Sequence, residues 1–246
     1  MAIVRRIRCE VSEIEKHGNG VYSIFLKPEK KLPKFFAGQF CHLTIDSYDP
    51  SDFWPESRVF SIASSPKDQS RLRICYSVVG YYTRRMEKEL KEGALVWLKL
   101  PYGDFIVGEH PFTFLIAGGT GVSPFLPFIE SLDDNKSNSI YLFYGVRNSN
   151  LFLDILKLKK IAKNTSHFRL ILFSEDGFAD HSDWKDSAFC YHIKGIINAD
   201  VIISQILDKE STGFYISGPP KMLNFWKNCL ANYGIKTEMI FMDAWE

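Results

Sequence analysis

The stretch FLIAGGTGVSPFLPFIE, residues 114–130, constrains the fold more than any other part of the chain. Its apolar residues are interrupted by Gly118, Gly119 and Gly121 and by prolines. A membrane-spanning helix needs about 20 predominantly apolar residues, and this stretch is too short and too rich in glycine and proline, so no transmembrane segment is expected. Glycine permits positive φ and a close approach of backbones. The pattern therefore predicts a buried strand, a tight turn and a helix.

The predicted helix begins just after the glycines. Ser123 is a suitable N-cap, and Pro124 suits the first helical position, where its missing N–H costs little. A helix beginning there presents N–H groups and a partial positive charge to an anion such as phosphate. The stretch matches neither the P-loop nor a complete GxGxxG, because Pro124 stands at the last glycine position. The alternative interpretation is an ordinary tight connection between a strand and a helix.

The two halves of the chain have different patterns. The first half reads as short strands separated by turn signals such as HGNG, typical of a small antiparallel barrel or sandwich. The second half alternates strands with helices, which indicates a parallel sheet covered by helices on both faces. We expect an N-terminal antiparallel β-barrel domain over residues 1–109 and a Rossmann-like parallel-sheet domain over residues 110–246. The expected strands are 4–14, 21–26, 39–45, 58–63, 72–78, 94–100, 114–117, 140–144, 168–173, 214–217 and 236–242, and the expected helices are 83–90, one from about 124, 152–163, 201–207 and 221–233.

Composition and charge exclude several functional classes. The formal net charge is +1 and no long basic run is present, so we expect no nucleic-acid partner. The five cysteines are far apart in the sequence, and no histidine pair has metal-ligand spacing, so no metal site and no iron–sulfur cluster is expected. The odd cysteine count and the lack of a secretory signal pattern favour a reducing, cytoplasmic location.

Four short motifs, in order, resemble those of the ferredoxin–NADP reductase superfamily. RVFSIASS (58–65) is similar to its Arg-x-Tyr/Phe-Ser flavin motif, and GYYT (80–83) to its Gly-x-x-Ser/Thr phosphate motif. SGPPKM (217–222) resembles its Cys-Gly-Pro-x-x-Met nicotinamide motif, and GGTGVSP (118–124) stands in the family's order between them. The resemblance spans nearly the whole chain. It implies a two-domain oxidoreductase with FAD in the barrel domain and NAD(P)H in the α/β domain.

The resemblance assigns the flavin site to the first domain. The implied flavin-binding residues are Arg58, Val59, Phe60, Ser61, Ser64, Gly80, Tyr82 and Thr83. The Arg58 guanidinium is expected at the FAD phosphates because it forks onto phosphate oxygens. Phe60 is expected against the isoalloxazine, and the Ser61 hydroxyl near flavin N5, where hydride arrives. Thr83 and the first N–H groups of its helix are expected to form an anion site for the flavin pyrophosphate. The alternatives are a surface ion pair for Arg58 and simple N-capping for Thr83.

The nicotinamide nucleotide is assigned to the second domain. The implied residues are Gly119, Thr120, Gly121, Arg147, Glu175, Gly218 and Pro219. The Gly-Thr-Gly run is expected to cradle the pyrophosphate, and Gly218 with Pro219 to shape the nicotinamide pocket. Glu175 and the following aspartate favour a ribose diol over a 2′-phosphate, which favours NADH over NADPH. Arg147 or Lys185 would reverse this preference if either reaches the pocket.

Three residues are expected to be catalytic: Ser61, Ser217 and Asp243. Ser217 stands where the family commonly has cysteine, and serine still hydrogen-bonds near the reacting carbon. Trp245 is expected to stack against the flavin. The alternative for the last residues is fraying of the chain terminus.

The implied activity is that of a ferredoxin–NAD(P) reductase-like enzyme. Hydride passes from the nicotinamide to FAD, and electrons then pass to a protein acceptor such as a ferredoxin, a flavodoxin or an oxygenase component. The alternatives are a free-flavin or quinone reductase, a non-catalytic electron-transfer subunit of a larger complex, and a nucleotide-binding module without flavin.

Overall fold

The computed structural model describes residues 3–133, 138–178 and 186–244. The chain forms two compact units. The first contains the chain up to Ile106 together with Ser123–Phe128, and the second contains Val107–Val122 and the chain from Ile129 onward. We call them the barrel unit and the α/β unit. Among the helices of the described residues, none is long and apolar enough to span a membrane.

The barrel unit contains six antiparallel strands in the order β4-β3-β6-β1-β2-β5. The strands are β1 Arg5–Gly18, β2 Val21–Pro28, β3 Phe40–Thr44, β4 Arg58–Ser61, β5 Leu72–Ser77 and β6 Leu95–Tyr102, and helix α1 is Tyr81–Glu89. Just after β4, Ile62 forms a bridge with Ile74 of β5. The Ala63 N–H also donates to the Arg73 carbonyl oxygen at 2.9 Å. The two edge strands therefore meet, and the sheet is nearly closed into the predicted barrel.

Alternating side chains fill this barrel. In β1, Ile7, Cys9 and Val11 are buried, and the residues between them are exposed, which is the period of two expected for a strand with one buried face. Asn19, between two glycines, adopts positive φ in the HGNG turn, as the turn signal predicts. Met86 of helix α1 is buried in the same core.

The α/β unit contains six parallel strands in the order β10-β9-β8-β7-β11-β12. The strands are β7 Phe112–Gly118, β8 Ser139–Val146, β9 Phe168–Ser174, β10 Cys190–Lys194, β11 Thr212–Ser217 and β12 Ile240–Met242. The helices of this half of the chain are α2 Leu126–Ile129, α3 Ile155–Asn164, α4 Ala199–Ile203 and α5 Pro220–Asn232. Successive strands are added on one side of β7 as far as β10, and β11 then returns to the other side. The carboxyl ends of β7 and β11 thus mark the topological switch point, and the predicted fold class is confirmed.

The helix predicted from about Pro124 begins two residues later, at Leu126, and is much shorter than expected. After β7 the chain makes a 3₁₀ turn over Gly119–Val122, and α2 has only four residues. With Ser123 as N-cap, Pro127 would have to donate the first i→i−4 hydrogen bond to the Ser123 carbonyl. Proline has no N–H, so the helix cannot begin where the N-cap pattern places it.

Two strands at the edges of the parallel sheet also differ from expectation. β10 was not predicted, because it is short and its burial does not follow a clear alternation. The strand expected over 236–242 begins as a 3₁₀ turn at Thr237–Met239 and pairs only over the three residues of β12. Edge strands bury little apolar surface, so their sequence pattern is weak.

Candidate nucleotide and flavin sites

Two glycine-containing loops interlock where β7 and β11 end. A Cβ on Gly121 would lie 2.3 Å from the Ser217 carbonyl oxygen and 2.7 Å from the Gly218 nitrogen. A Cβ on Gly118 would lie 2.5 Å from Met222 Sδ. No real Cβ approaches backbone so closely, so glycine is required at position 121 for the loops to pack, whereas a Cβ at position 118 would displace the flexible Met222 side chain. Open α/β sheets bind ligands at such a switch point, outside the carboxyl ends of the strands.

Between these tight contacts the backbone borders open space. Gly119 has a φ of +56°, and a Cβ there would meet no atom within 4 Å. Any larger residue would place its side chain in that space. The neighbouring Thr120 is half-buried. A bare backbone beside open space, at the switch point of a parallel sheet, fits a dinucleotide phosphate. Because α2 begins only at Leu126, the 3₁₀ turn at Gly119–Val122 provides this backbone.

Two of the three predicted catalytic residues lie together at the end of β11. The Ser217 hydroxyl donates to Asp243 Oδ2 at 2.9 Å, and the two residues are only 3% and 4% exposed. The Asp243 N–H donates to the Ile216 carbonyl oxygen at 2.9 Å. A buried carboxylate is costly unless donors surround it, so Ser217 is one of the groups that hold Asp243 in place.

Arg147 and Glu175 lie next to one another where β8 and β9 end. The Glu175 N–H donates to the Val146 carbonyl oxygen at 3.1 Å, and the Asp176 N–H to the Arg147 carbonyl oxygen at 2.9 Å. Asn148 Nδ2 donates to Asp176 Oδ2 at 3.3 Å. The side chains of Arg147, Glu175 and Asp176 are exposed. The predicted acids therefore share this edge of the sheet with a cation.

Lys194 is a further cation at this edge that the sequence did not indicate. It ends β10 in register with Ser174, and its stem lies along Gly177, where a Cβ would sit 3.4 Å from Lys194 Cδ. The Ser174 hydroxyl is fully buried and has no hydrogen-bond partner among the described residues. Recognising Lys194 requires the strand β10, which has no clear sequence signal. Lys185 lies outside the described residues, as does Trp245.

In the barrel unit, the fold brings the RVFS strand and the GYYT helix start together. The Arg58 Cζ lies 4.8 Å from the centroid of the Tyr82 ring. Arg58 Nη2 also lies 2.7 Å from Glu56 Oε1, and both of these side chains are close to half exposed. The neighbouring Val59 is half-buried. The guanidinium therefore lies beside the first turn of α1, in an ion pair that solvent screens and that an anionic ligand can replace.

Tyr82 and Thr83 use their side chains within the protein. The Tyr82 hydroxyl accepts from the Ile45 N–H at 3.0 Å, its ring is 2% exposed, and burial raises its pKa. Thr83 Oγ1 accepts from the N–H groups of Val79 and Gly80 at 3.0 and 3.1 Å. Thr83 is therefore the third residue of α1 and not its N-cap, which is Gly80; its hydroxyl satisfies the two N–H groups just before the helix. What this end of the helix offers a phosphate is its backbone.

The remaining predicted flavin residues are largely buried. Phe60 belongs to the barrel core and lies edge-on to Tyr76, with ring centroids 6.1 Å apart. Ser61 is 9% exposed and pairs with Phe40 of β3. Ser64 Oγ accepts from the Arg73 N–H at 3.0 Å, where β4 and β5 close the barrel. Their contacts to a cofactor stay predictions.

Comparison with known sequences places the chain among reductases. The oxidoreductase NAD-binding domain family matches residues 115–228. The chain is 28% identical to the NAD(P)H-flavin reductase of Vibrio harveyi, over 97% of this chain and 98% of that protein. It is 25% identical to the CDP-6-deoxy-L-threo-D-glycero-4-hexulose-3-dehydrase reductase of Yersinia pestis, over 96% of this chain and 68% of that protein. It is 24% identical to the flavohemoprotein of Oceanobacillus iheyensis but spans only 56% of that protein.

Solved structures share the fold at lower identity. The cytochrome P450 reductase of Amycolatopsis superposes with a TM-score of 0.79 at 21% identity, over 99% of this chain and 70% of that one. The flavohem-like FAD/NAD-binding domain of nitric oxide dioxygenase from Vibrio cholerae gives a TM-score of 0.76 at 18% identity, over 97% of this chain and 98% of that one. Residues 115–228 thus match the oxidoreductase NAD-binding domain family, and the chain as a whole has the two-domain fold of ferredoxin reductase-like, FAD- and NAD-binding oxidoreductases.

Proposed function

We propose that the chain is an NAD(P)H-dependent flavin oxidoreductase with FAD bound by a domain over residues 1–109 and the nicotinamide nucleotide by a domain over residues 110–246. The observation that carries this proposal is the interlocked pair of glycine loops at the switch point of the parallel sheet. Gly121 packs against the Ser217 carbonyl, and Gly119 borders open space. These contacts support a backbone cradle for the nucleotide pyrophosphate, with Gly119, Thr120 and Gly121 on one side and Gly218 and Pro219 on the other.

The protein contributes to the reaction mainly by positioning the nicotinamide nucleotide and the flavin. When bound, FAD accepts a hydride from the nicotinamide and supplies electrons to an acceptor. The Ser217 hydroxyl donates a hydrogen bond to Asp243 Oδ2, so the buried carboxylate sets the direction of the serine lone pairs. This pair fixes the end of β11 beside Gly218 and orients the nucleotide there. Orientation of this kind contributes to rate without proton transfer by the side chain.

The barrel unit supplies charge to the flavin site. We propose that Arg58 exchanges its exposed partner Glu56 for the FAD phosphates, because phosphate offers the guanidinium two charge-assisted hydrogen bonds. The backbone at Gly80, Tyr82 and Thr83 faces the same anion at the start of α1. In this proposal the flavin lies along β4 and the residues just after it, beside Val59, Phe60, Ser61 and Ser64.

We propose that the electron acceptor is a protein, such as a ferredoxin, a flavodoxin or an oxygenase component. The relatives that support this include a dehydrase reductase and a ferredoxin reductase of a carbazole dioxygenase. A second candidate is direct reduction of free flavin, favoured by the NAD(P)H-flavin reductase that the chain matches over nearly its full length. All five cysteines are free thiols, which supports a reducing, cytoplasmic compartment.

The visible spectrum of the purified protein, before and after anaerobic NADH, tests the proposal. We expect flavin absorption bands that bleach on NADH, and release of FAD on denaturation. A colourless protein that takes up no added FAD would overturn the proposed function. Turnover with free FMN alone, compared with turnover in the presence of ferredoxin or flavodoxin, separates the two acceptor classes. Fast reduction of FMN without any protein partner would favour the second candidate.

A further inference from the structure

The Tyr215 hydroxyl holds the segment that leads into β7 against β11. The Gly108 N–H donates to this hydroxyl oxygen at 2.8 Å, and His110 Nε2 lies 3.0 Å from the same oxygen. A Cβ on Gly213 would lie 2.4 Å from His110 Cδ2, so the imidazole packs directly against the backbone of β11. We call Gly108, His110, Gly213 and Tyr215 the entry clasp.

The entry clasp is continuous with the two strands that lead to Ser217 and Asp243. The Tyr215 ring is 1% exposed. It stacks on Phe241, its register partner in β12, with ring centroids 4.5 Å apart. Two residues further along each strand stand Ser217 and Asp243, which share the hydrogen bond of 2.9 Å. The entry clasp therefore supports both strands just before the residues expected to act at the nicotinamide.

The hydrogen bonds of the entry clasp depend on the protonation state of His110. Neutral imidazole has one nitrogen that accepts a hydrogen bond, and with the proton on Nδ1 the Nε2 atom accepts the Tyr215 phenol proton. The Tyr215 oxygen at the same time accepts from the Gly108 N–H. Imidazolium donates from both nitrogens and accepts nothing. Protonation therefore removes the acceptor of the phenol and makes His110 compete with Gly108 for the phenol oxygen.

The residues packed against His110 add no charge. β11 presents Gly213 and Tyr215 to the ring and β12 presents Phe241, and both aromatic centroids lie 5.9 Å from the imidazole centroid. Of these residues only Tyr215 titrates, and burial raises its pKa, so it stays protonated. The adjacent Glu109 is exposed. Burial of the imidazole lowers the pKa of His110, which favours the neutral form that the entry clasp requires.

We propose that His110 is a positioning residue whose protonation releases the entry clasp. Neutral His110 holds residues 108–110 against β11 and keeps the ends of β11 and β12 in place, whereas protonated His110 lets this segment detach. Because the pKa of His110 is lowered in the folded protein, the entry clasp is complete above the ordinary histidine pKa of about 6.5 and is lost as the pH falls through the lowered value. The release itself needs no nucleotide, but its effect on hydride transfer rests on the proposed function.

Hydrogen exchange of the Gly108 amide, followed by NMR on the flavin-loaded protein, measures the release directly. Protection factors remove the intrinsic pH dependence of exchange. Between about pH 7.5 and about pH 5, on either side of the ordinary histidine pKa, we expect the wild-type factor to fall about fivefold, the effect of losing one hydrogen bond. His110→Gln supplies an amide oxygen that accepts the phenol proton at every pH, so its factor should fall less than about twofold.

Two further variants calibrate this response. Tyr215→Phe removes the hydroxyl and retains the ring that stacks on Phe241, so Gly108 should be poorly protected at both pH values. His42→Gln is the matched control, because His42 is a half-buried histidine of the barrel unit whose pKa burial also lowers. It should keep the wild-type response of Gly108 to pH.

The same variants separate positioning from binding. Reduction of the bound flavin by saturating NADH in stopped flow should slow about fivefold over this pH range in wild type, and less than about twofold in His110→Gln. ADP carries the pyrophosphate without redox chemistry, and its affinity measured by calorimetry should differ less than about twofold between the two proteins. A side chain that only stabilised the fold would not give His110→Gln a flatter pH profile than wild type.

The outcomes distinguish the inference from the proposed function. A Gly108 protection factor that does not change with pH in wild type, or that changes as much in His110→Gln, overturns the inference alone. So does a pH dependence of hydride transfer that is the same in wild type and His110→Gln, or that is lost in His42→Gln. If NADH reduces no bound flavin at any pH, the proposed function is wrong and the claim for hydride transfer falls with it.

Discussion

The two candidate anion sites are built in opposite ways. In the barrel unit, an exposed side chain supplements the backbone at the start of α1: the Arg58 guanidinium lies beside the first turn and pairs with Glu56. In the α/β unit the backbone itself forms the site, and Gly121 packs directly against the Ser217 carbonyl. A site that depends on exposed side chains can exchange one ion-pair partner for another. Its ligand affinity should fall gradually when a side chain is removed. A site made of packed backbone depends on shape, and one added methyl group disrupts it.

The largest effect is therefore expected for Gly121→Ala. Its Cβ would lie 2.3 Å from the Ser217 carbonyl oxygen, and neither backbone can move without opening the switch point. Overpacking of this kind costs about 3 kcal/mol or more when the neighbour is backbone. Urea denaturation should show a strongly destabilised protein that no longer binds ADP.

Gly119→Ala is the matched control for that variant. A Cβ there meets no protein atom within 4 Å, and its positive φ costs an alanine only about 1–2 kcal/mol. We expect a folded protein with weakened ADP binding, because the methyl group enters the space assigned to the nucleotide. A fully stable Gly121→Ala protein, or a Gly119→Ala protein with unchanged ADP affinity, would contradict the backbone-cradle interpretation.

Ser217→Ala tests the buried pair within the same unit. It removes a hydrogen bond to the Asp243 carboxylate, and bonds to charged groups contribute about 1.5–3 kcal/mol. We expect the free energy of unfolding to fall by about 2 kcal/mol, with hydride transfer from NADH slowed in stopped-flow measurements. Asp243→Asn retains an acceptor for Ser217 and should lose less stability. Equal stability of Ser217→Ala and wild type would show that the pair contributes nothing.

The sequence predicted most of both units and missed what depends on tertiary contacts. Strong patterns such as the alternation in β1 and the apolar run of β7 specify their strands locally. The N-cap pattern at Ser123 failed because Pro127 denies the helix its first hydrogen bond. The contact of Met222 with Gly118 has no local signal, because it joins residues about a hundred positions apart. Lys194 was missed with its edge strand, β10.

Arg58→Ala tests the side-chain site, where a smaller effect on stability is expected. The lost interaction with Glu56 is exposed and contributes little to folding. Loss of charge-assisted hydrogen bonds to the FAD phosphates should weaken flavin binding roughly 10–100-fold, measured by fluorescence during dilution. Arg58→Lys keeps the positive charge but not the paired hydrogen bonds of the guanidinium. Its flavin affinity should therefore lie between those of wild type and Arg58→Ala. Glu56→Gln releases the guanidinium and should retain flavin at least as well as wild type; flavin loss in Glu56→Gln would contradict the proposed exchange of partners.

The smallest effect is expected at the charged edge of the α/β unit, where we propose that NADH is preferred. Glu175 and Asp176 repel a 2′-phosphate, whereas Lys194, lying along Gly177, attracts it. Exposed charges of this kind contribute up to about 1 kcal/mol, so Lys194→Ala should lower kcat/KM for NADPH by up to roughly fivefold and leave the value for NADH unchanged. Glu175→Gln should shift the preference toward NADPH. Lys88→Ala, which removes an exposed lysine from the barrel unit, controls for net charge. A strong preference of the wild type for NADPH would show that the cations at this edge, and not the acids, set the choice of nucleotide.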